Sequence, residues 1–194
     1  MSKNLLFQPC LTRRVLKGQK DLKVDLGCGM FKPEGFIGFD CAEGTPADYF
    51  CDLNEGIPLE DNCVAVMYCS HFLEHTKDWL WFLSEMHRVC QKDAQVTIHI
   101  PHLHSDDAFS SEHTTWFPIR MFQTEHHQWF KNYFTVQNIE TVYDEKGLAV
   151  ARKYLPNAPN EDLALLFWNV TKELIVTCTP NDTTTEDSSN AGKC

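Results

Sequence analysis

Gly27 and Gly29 lie between an apolar run that ends Asp25-Leu26 and a short segment, 36–40, that closes on Asp40. Glycine lets a backbone turn tightly and lets a ligand approach with no Cβ in the way. A carboxylate at the end of the next strand is placed to accept hydrogen bonds from a ribose diol. Together these residues read as a nucleoside-cofactor site; the plain alternative is an ordinary turn after a strand. A nicotinamide site needs G-x-G-x-x-G running into a helix whose N-terminus receives a pyrophosphate. Here Lys32 holds the third glycine position, Pro33 follows, and too few residues precede 36–40 for a crossover helix. A P-loop is excluded because no Gly-Lys-Ser/Thr follows the turn. S-adenosylmethionine carries no phosphate and needs only a close turn, an acid for the ribose and a pocket for adenine. It is the cofactor these residues fit best.

A second cluster, His102, His104, Asp106 and Asp107 with Glu112-His113 beyond, suits the chemistry that cofactor would serve. Methyl transfer is an in-line displacement that needs an aligned acceptor lone pair and often a base for the acceptor's proton. Histidine has the intrinsic pKa for that base. His104 and His113, with Asp106, are the candidate catalytic residues. The bland reading is a hydrated loop with incidental histidines. A divalent metal on His104, Asp106, Asp107 and His113 is a further alternative, but no fixed ligand spacing stands out, and no metal is expected. His126 and His127 read as surface residues. Trp116, Phe117, Phe122, Trp129, Phe130 and Tyr133 in the same stretch are either core filling under a lid or an acceptor-pocket wall.

The elements that must position these groups follow from periodicity. Strands are expected at 22–26, at 36–40, in a short piece ending near Asp52, and at 64–69, whose near-continuous apolar run suits a central parallel strand covered on both faces. Apolar residues at 79, 82, 83, 86, 89 and 90 predict a helix over 78–90. A strand at 96–100 stops at Pro101. Residues 102–133 form a long irregular insertion, with one short helix after Pro118. Strands are then expected at 134–143, 149–154 and 174–179, with a helix over 162–168. This alternation predicts an α/β doubly wound, Rossmann-like sandwich. Its sheet is mostly parallel, with a C-terminal antiparallel strand and a shortened first crossover.

Val24-Asp-Leu-Gly-Cys-Gly29 resembles motif I of the class I S-adenosylmethionine-dependent methyltransferases. The segment from Asp52-Leu-Asn-Glu-Gly to Ser70-His-Phe-Leu-Glu-His75 resembles their run from third strand to the helix after the fourth. Phe82-Leu-Ser-Glu-Met-His-Arg-Val-Cys90 and Gln95-Val-Thr-Ile-His-Ile-Pro101 resemble the next helix and strand. The likeness spans about residues 21–180 and is greatest to a compact, methyltransferase type 11-like subgroup whose first crossover helix is a loop. Two positions depart from the family pattern: Phe31 replaces a third glycine, and Lys92-Asp-Ala replaces a glycine-rich turn. The resemblance implies that Gly27, Cys28 and Gly29 form the cofactor loop. It also implies that Asp25 orients the methionine end, Asp40 takes the ribose hydroxyls, and Asp52 with Leu53 lies beside the adenine. Ser70 and His71 would offer backbone to the methionine ammonium. Asp52 has the alternative of capping a turn, and Glu74 and His75 that of satisfying backbone at a helix start.

Length and composition bound the rest. A chain of 194 residues is one domain by size, divided here into an arm at 1–20, a methyltransferase domain at 21–180 and a disordered acidic tail at 181–194. A net charge of −10 disfavours nucleic acid and anionic membrane as partners, and favours a small-molecule methyl acceptor. No apolar run approaches the roughly 20 residues of a membrane span. Nine scattered cysteines without a C-x-x-C read as reduced thiols in a cytoplasmic protein. The expected function is methyl transfer to a small-molecule oxygen or nitrogen nucleophile. The alternative is a catalytically inactive subunit that keeps the fold to bind a partner.

Overall fold

A computed structural model describes residues 15–123 and 128–182. Strands β1 (Leu22–Leu26), β2 (Ile37–Asp40), β3 (Tyr49–Phe50), β4 (Val64–Ser70), β5 (Cys90–Pro101), β6 (Phe134–Tyr143) and β7 (Thr171–Pro180) form one sheet. Its order is β3-β2-β1-β4-β5-β7-β6. Strands β3 to β5 run parallel, and β7 pairs antiparallel with both β5 and β6. The expected mostly parallel α/β sheet with an antiparallel C-terminal edge is therefore present.

Helix α1 (Trp79–Val89) is the crossover between β4 and β5. Asp78 caps it by accepting from the Trp81 N–H at 3.0 Å. Its apolar stripe buries Phe82, Leu83, Met86 and Val89 in one core with Val24, Leu26, Met67, Cys69, Val96, Ile98, Val176 and Cys178 of the sheet. Two one-turn helices, α2 (Arg120–Gln123) and α3 (Gln128–Lys131), follow β5. Phe117, Phe122 and Phe130 join the same core, whereas Trp116 and Trp129 are exposed. That sorts the aromatics between core filling and surface.

Strand β4 is not covered evenly. Val64, Met67 and Cys69 are buried, but Val66 and Tyr68 are only half-buried. The β1–β2, β2–β3 and β3–β4 connections carry no α-helix, so among the described residues no helix from them covers the second face. Asp25, Tyr68, Thr97 and Thr177 stand in register across that face.

One expected strand is a helix. Residues 149–154 fall in and after α4 (Glu145–Ala151), capped by Asp144, which accepts from the Gly147 N–H. Ala149, Ala151, Arg152 and Lys153 are good helix formers, and the cap and the burial of Leu148 and Ala151 against Leu163 and Val170 decide for helix. The second helix, α5 (Asn160–Leu166), starts and ends two residues before its expected place.

Of the expected arm, 1–14 lies outside the described residues, as do His126, His127 and the tail beyond Asp182. Val15 donates its N–H to Pro58 O at 2.8 Å, and Val15 and Leu16 pack on the core. Seven described cysteines are free thiols, all buried except Cys41. No described helix is long and apolar enough to cross a membrane.

Candidate cofactor site and acceptor edge

The glycine turn closes where β1 meets β2. Gly27 and Cys28 donate backbone N–H groups to Phe39 O at 2.9 and 3.2 Å. Gly27 has φ +67°, and a Cβ there would stand 2.3 Å from Phe72 Cδ2, so only glycine fits. Gly29 also has positive φ, at +49°, but a Cβ there would meet nothing within 4 Å. Gly27 serves close packing; Gly29 opens the turn to whatever lies above it.

Asp40, at the end of β2, straps this turn. Its Oδ2 accepts the Gly29 N–H at 2.8 Å and its Oδ1 the Ala42 N–H at 2.7 Å. A carboxylate has about four acceptor sites, so capacity remains for two ribose hydroxyls. Asp25 is buried, and its Oδ1 has no hydrogen-bond partner. Burial, reinforced by Asp40 and opposed by Lys32, raises its carboxyl to about 7. The same burial, with Asp25 and Asp40 adding to it, lifts the Cys28 thiol to about 12 and keeps it neutral. Asp52 caps the 3₁₀ turn Leu53–Glu55 by accepting from Asn54 N and Nδ2 at 2.9 and 3.0 Å. Leu53 is buried in the core.

An open backbone cradle at Gly29, an orphaned buried acid at Asp25 and a carboxylate at the end of β2 fit S-adenosylmethionine. That cofactor brings a cation for Asp25 and a diol for Asp40. When bound, it supplies an activated methyl on a sulfonium.

Beyond β4, His71 adopts φ +50°, unusual for a residue with a Cβ, and donates its backbone N–H to His99 O at 2.9 Å. Its ring spans two acids: Nε2 lies 2.8 Å from Glu173 Oε2 and Nδ1 3.4 Å from Glu74 Oε1. Glu74, then Glu173, raise the His71 pKa against the opposing effect of burial. Glu173 Oε2 also meets His99 Nδ1 at 3.3 Å, and the His99 ring sits edge-on to Tyr68 with centroids 5.1 Å apart. Glu173 stays below the ordinary carboxylate range: burial raises it, and its contacts with His71 and His99 together outweigh that.

The three candidate catalytic residues divide between two places. His104 points its Nδ1 at Ala164 O, 3.1 Å away, and stacks on Trp168. Asp106 accepts from Trp168 Nε1 at 2.9 Å and Asn169 Nδ2 at 2.6 Å, latching the loop to the segment before β7. His113 lies elsewhere, edge-on to His75 with ring centroids 4.7 Å apart. A cavity of about 520 Å³, lined in part by His102, His104, Ile119, Arg120 and Tyr143, opens beside this insertion. Sequence reasoning missed His99 and Glu173. His99 alternates with buried Ile98 and Ile100 like any half-exposed strand residue, and Glu173 is 74 positions further on. Only the antiparallel register of β5 and β7 joins them.

Residues 40–98 match the family described as methyltransferase domain. No curated protein matches the chain in sequence. Among solved structures, a chain of the complex between the Haloferax volcanii Trm112 methyltransferase activator and its assigned methyltransferase superposes with a TM-score of 0.59. The two are 14% identical, over 91% of this chain and 89% of that one. A Bacillus halodurans protein assigned as a methyltransferase gives 0.56 at 14% identity, over 88% of this chain and 96% of the other. A SAM-dependent methyltransferase from Archaeoglobus fulgidus gives 0.55 at 14% identity, over 84% and 87%. The chain is built on the class I S-adenosylmethionine-dependent methyltransferase fold, and S-adenosylmethionine is the cofactor its central segment and fold imply.

Proposed function

We propose that this chain transfers a methyl group from S-adenosylmethionine to an oxygen or nitrogen nucleophile of a small molecule. The observation that carries this reading is the Glu173–His99 pair, in which the His99 ring sits edge-on to Tyr68, the β4 residue in register with Asp25 at the end of the strand that leads into the cofactor turn. In the transfer, an acceptor lone pair forms the new bond to the methyl carbon. The carbon–sulfur bond breaks, its electrons stay on sulfur, and S-adenosylhomocysteine leaves. The acceptor's proton goes to a base. Both ring nitrogens of His71 face carboxylates, Glu173 at 2.8 Å and Glu74 at 3.4 Å, so neither is open to take the acceptor's proton. His99 has one ring nitrogen held by Glu173 and offers the other, the arrangement of a base with its orienting acid. His99 is therefore our base in preference to His104, with Asp106 holding the loop.

The test is transfer of labelled methyl from S-adenosylmethionine into separated small-molecule, protein and RNA fractions of a cell extract. Label in the small-molecule fraction, lost in His99→Gln, supports the reading. Label only in protein or RNA overturns the acceptor class, and calorimetry without cofactor binding overturns the cofactor. A second reading, a partner-binding subunit without turnover, draws on the neighbour whose complex contains a methyltransferase activator. Cofactor binding with no labelled product in any fraction would favour it.

A further inference from the structure

Glu74 is buried, and neither of its carboxylate oxygens makes a hydrogen bond. An acid in that position needs a positive partner, because burying an unpaired charge is costly. The nearest basic group, His71, stands at 3.4 Å and is shared with Glu173 at a shorter 2.8 Å. A second group faces the same carboxylate. One ligand atom each of Glu74, His75 and His113 lie within 4.8 Å of one another.

The two histidines are already prepared as ligands. His75 Nδ1 lies 3.2 Å from Glu112 O, and His113 Nδ1 lies 3.0 Å from Ala108 O. A carbonyl oxygen only accepts, so each Nδ1 carries the proton and, in the neutral ring, each Nε2 keeps its lone pair. A backbone carbonyl on the second nitrogen is how metal-bound histidines are oriented. The third ligand is delivered from far along the chain and held there. Thr114 donates its N–H to Glu74 O at 2.8 Å and its hydroxyl toward Glu74 O at 3.1 Å and Thr76 O at 2.6 Å. His113 is thereby fixed over the 3₁₀ turn Leu73–His75 that carries the other two ligands.

We propose that Glu74, His75 and His113 form a binding site for a borderline divalent transition-metal ion, of which zinc(II) is the representative. Two imidazole nitrogens and one carboxylate oxygen suit zinc, iron(II), cobalt(II) or manganese(II). They offer no sulfur for copper(I) and too little oxygen for calcium or magnesium. Ligands about 2.0–2.1 Å from zinc stand about 3.4 Å apart in a tetrahedron, so a small closing rotation of the two rings completes the set. Three protein ligands leave a fourth position open. The site shares His113 with the metal set conceivable from sequence but not the rest of it: Asp106 is held by Trp168 and Asn169, and the ligand atoms that lie within 4.8 Å of His113 are those of Glu74 and His75. It does not depend on the methyl-transfer reading.

The experiment uses the whole chain, stripped with chelator and with accessible thiols alkylated so that cysteine cannot contribute. Zinc(II) is titrated by calorimetry, and cobalt(II) by visible absorption. We expect one equivalent of each to bind, a tetrahedral-type cobalt spectrum without a thiolate band, and a higher melting temperature with zinc. His113→Gln and His75→Gln should each weaken binding by at least about tenfold and abolish the thermal shift, while the metal-free variants melt near the wild type. Glu74→Gln should lose binding and leave the metal-free protein no less stable, because the carboxylate it replaces is buried without a hydrogen bond and has only the long 3.4 Å contact to His71. His104→Gln should bind as the wild type does. No stoichiometric binding by the wild type, or binding that survives His113→Gln and His75→Gln, overturns the proposal.

Discussion

Glu173 Oε2 and His99 Nδ1 meet at 3.3 Å across the β5–β7 pair, where His99 lies opposite Ile175 in antiparallel register. The acid that orients the proposed base thus comes from the last strand of the sheet. Both side chains stand on the face that the loop-like first crossovers leave without a helix.

Replacing His99 with Gln should lower turnover by about 10²–10⁴, with cofactor affinity nearly unchanged. Glu173→Gln should lower it less, because the imidazole remains but loses its orienting charge. Steady-state kinetics on the identified acceptor, beside calorimetry of S-adenosylmethionine, check both. Full turnover in His99→Gln would remove this residue from the chemistry and return the base role to the insertion.

The two glycines of the turn should fail in different ways. In Gly27→Ala the new methyl meets the Phe72 ring in a left-handed backbone, and we expect a loss of roughly 2–4 kcal/mol of stability. Gly29→Ala has open space, so its stability cost is only the backbone strain, about 1–2 kcal/mol. Its larger effect should be on cofactor affinity, since the methyl projects into the cradle. Chemical denaturation and calorimetry on the two variants separate the effects.

Asp40→Ala removes the strap on Gly29 and the acceptor for the ribose. S-adenosylmethionine binding should weaken by roughly 1–3 kcal/mol, as measured by calorimetry. Unchanged affinity would disconnect Asp40 from the ribose.

Acid should destabilise the fold through His102. Its Nδ1 accepts the His104 N–H at 3.0 Å and lies 2.7 Å from the Thr171 hydroxyl, so protonation there breaks the His104 contact and forces the hydroxyl to turn and accept. Burial, with His104 beside it, lowers its pKa from 6.5 to about 4. The unfolded chain therefore binds the proton more readily than the folded one between those values. Stability should be complete above about 6.5 and fall as pH drops toward about 4, by at most about 1.4 kcal/mol per unit. Denaturant midpoints across that range should show this slope, and His102→Asn, which keeps an acceptor near Nδ1, should flatten it.

Asp106→Ala should cost about 0.5–1.5 kcal/mol of stability, the net worth of hydrogen bonds to Trp168 Nε1 and Asn169 Nδ2 at an exposed site where water replaces the acceptor, while cofactor affinity holds. A collapse of turnover with unchanged stability would instead make Asp106 catalytic.

The sequence alone determined the features that depend on neighbouring residues. The Gly27–Gly29 turn with Asp40 beyond it was legible because a tight turn between two strands constrains a few consecutive positions. Helix α1 was legible because an apolar stripe at helical spacing repeats locally. The stretch 149–154 was misread although Ala149, Ala151, Arg152 and Lys153 are good helix formers, and the Asp144 cap and burial against α5 fix the helix. Tertiary structure alone decided which distant residues meet. His99 found Glu173 through strand register, and His113 found Glu74 and His75 because Thr114 pins its loop to their turn. Pairings of that kind arise from hydrogen bonds between segments far apart in the chain, and they leave no periodic trace in the sequence.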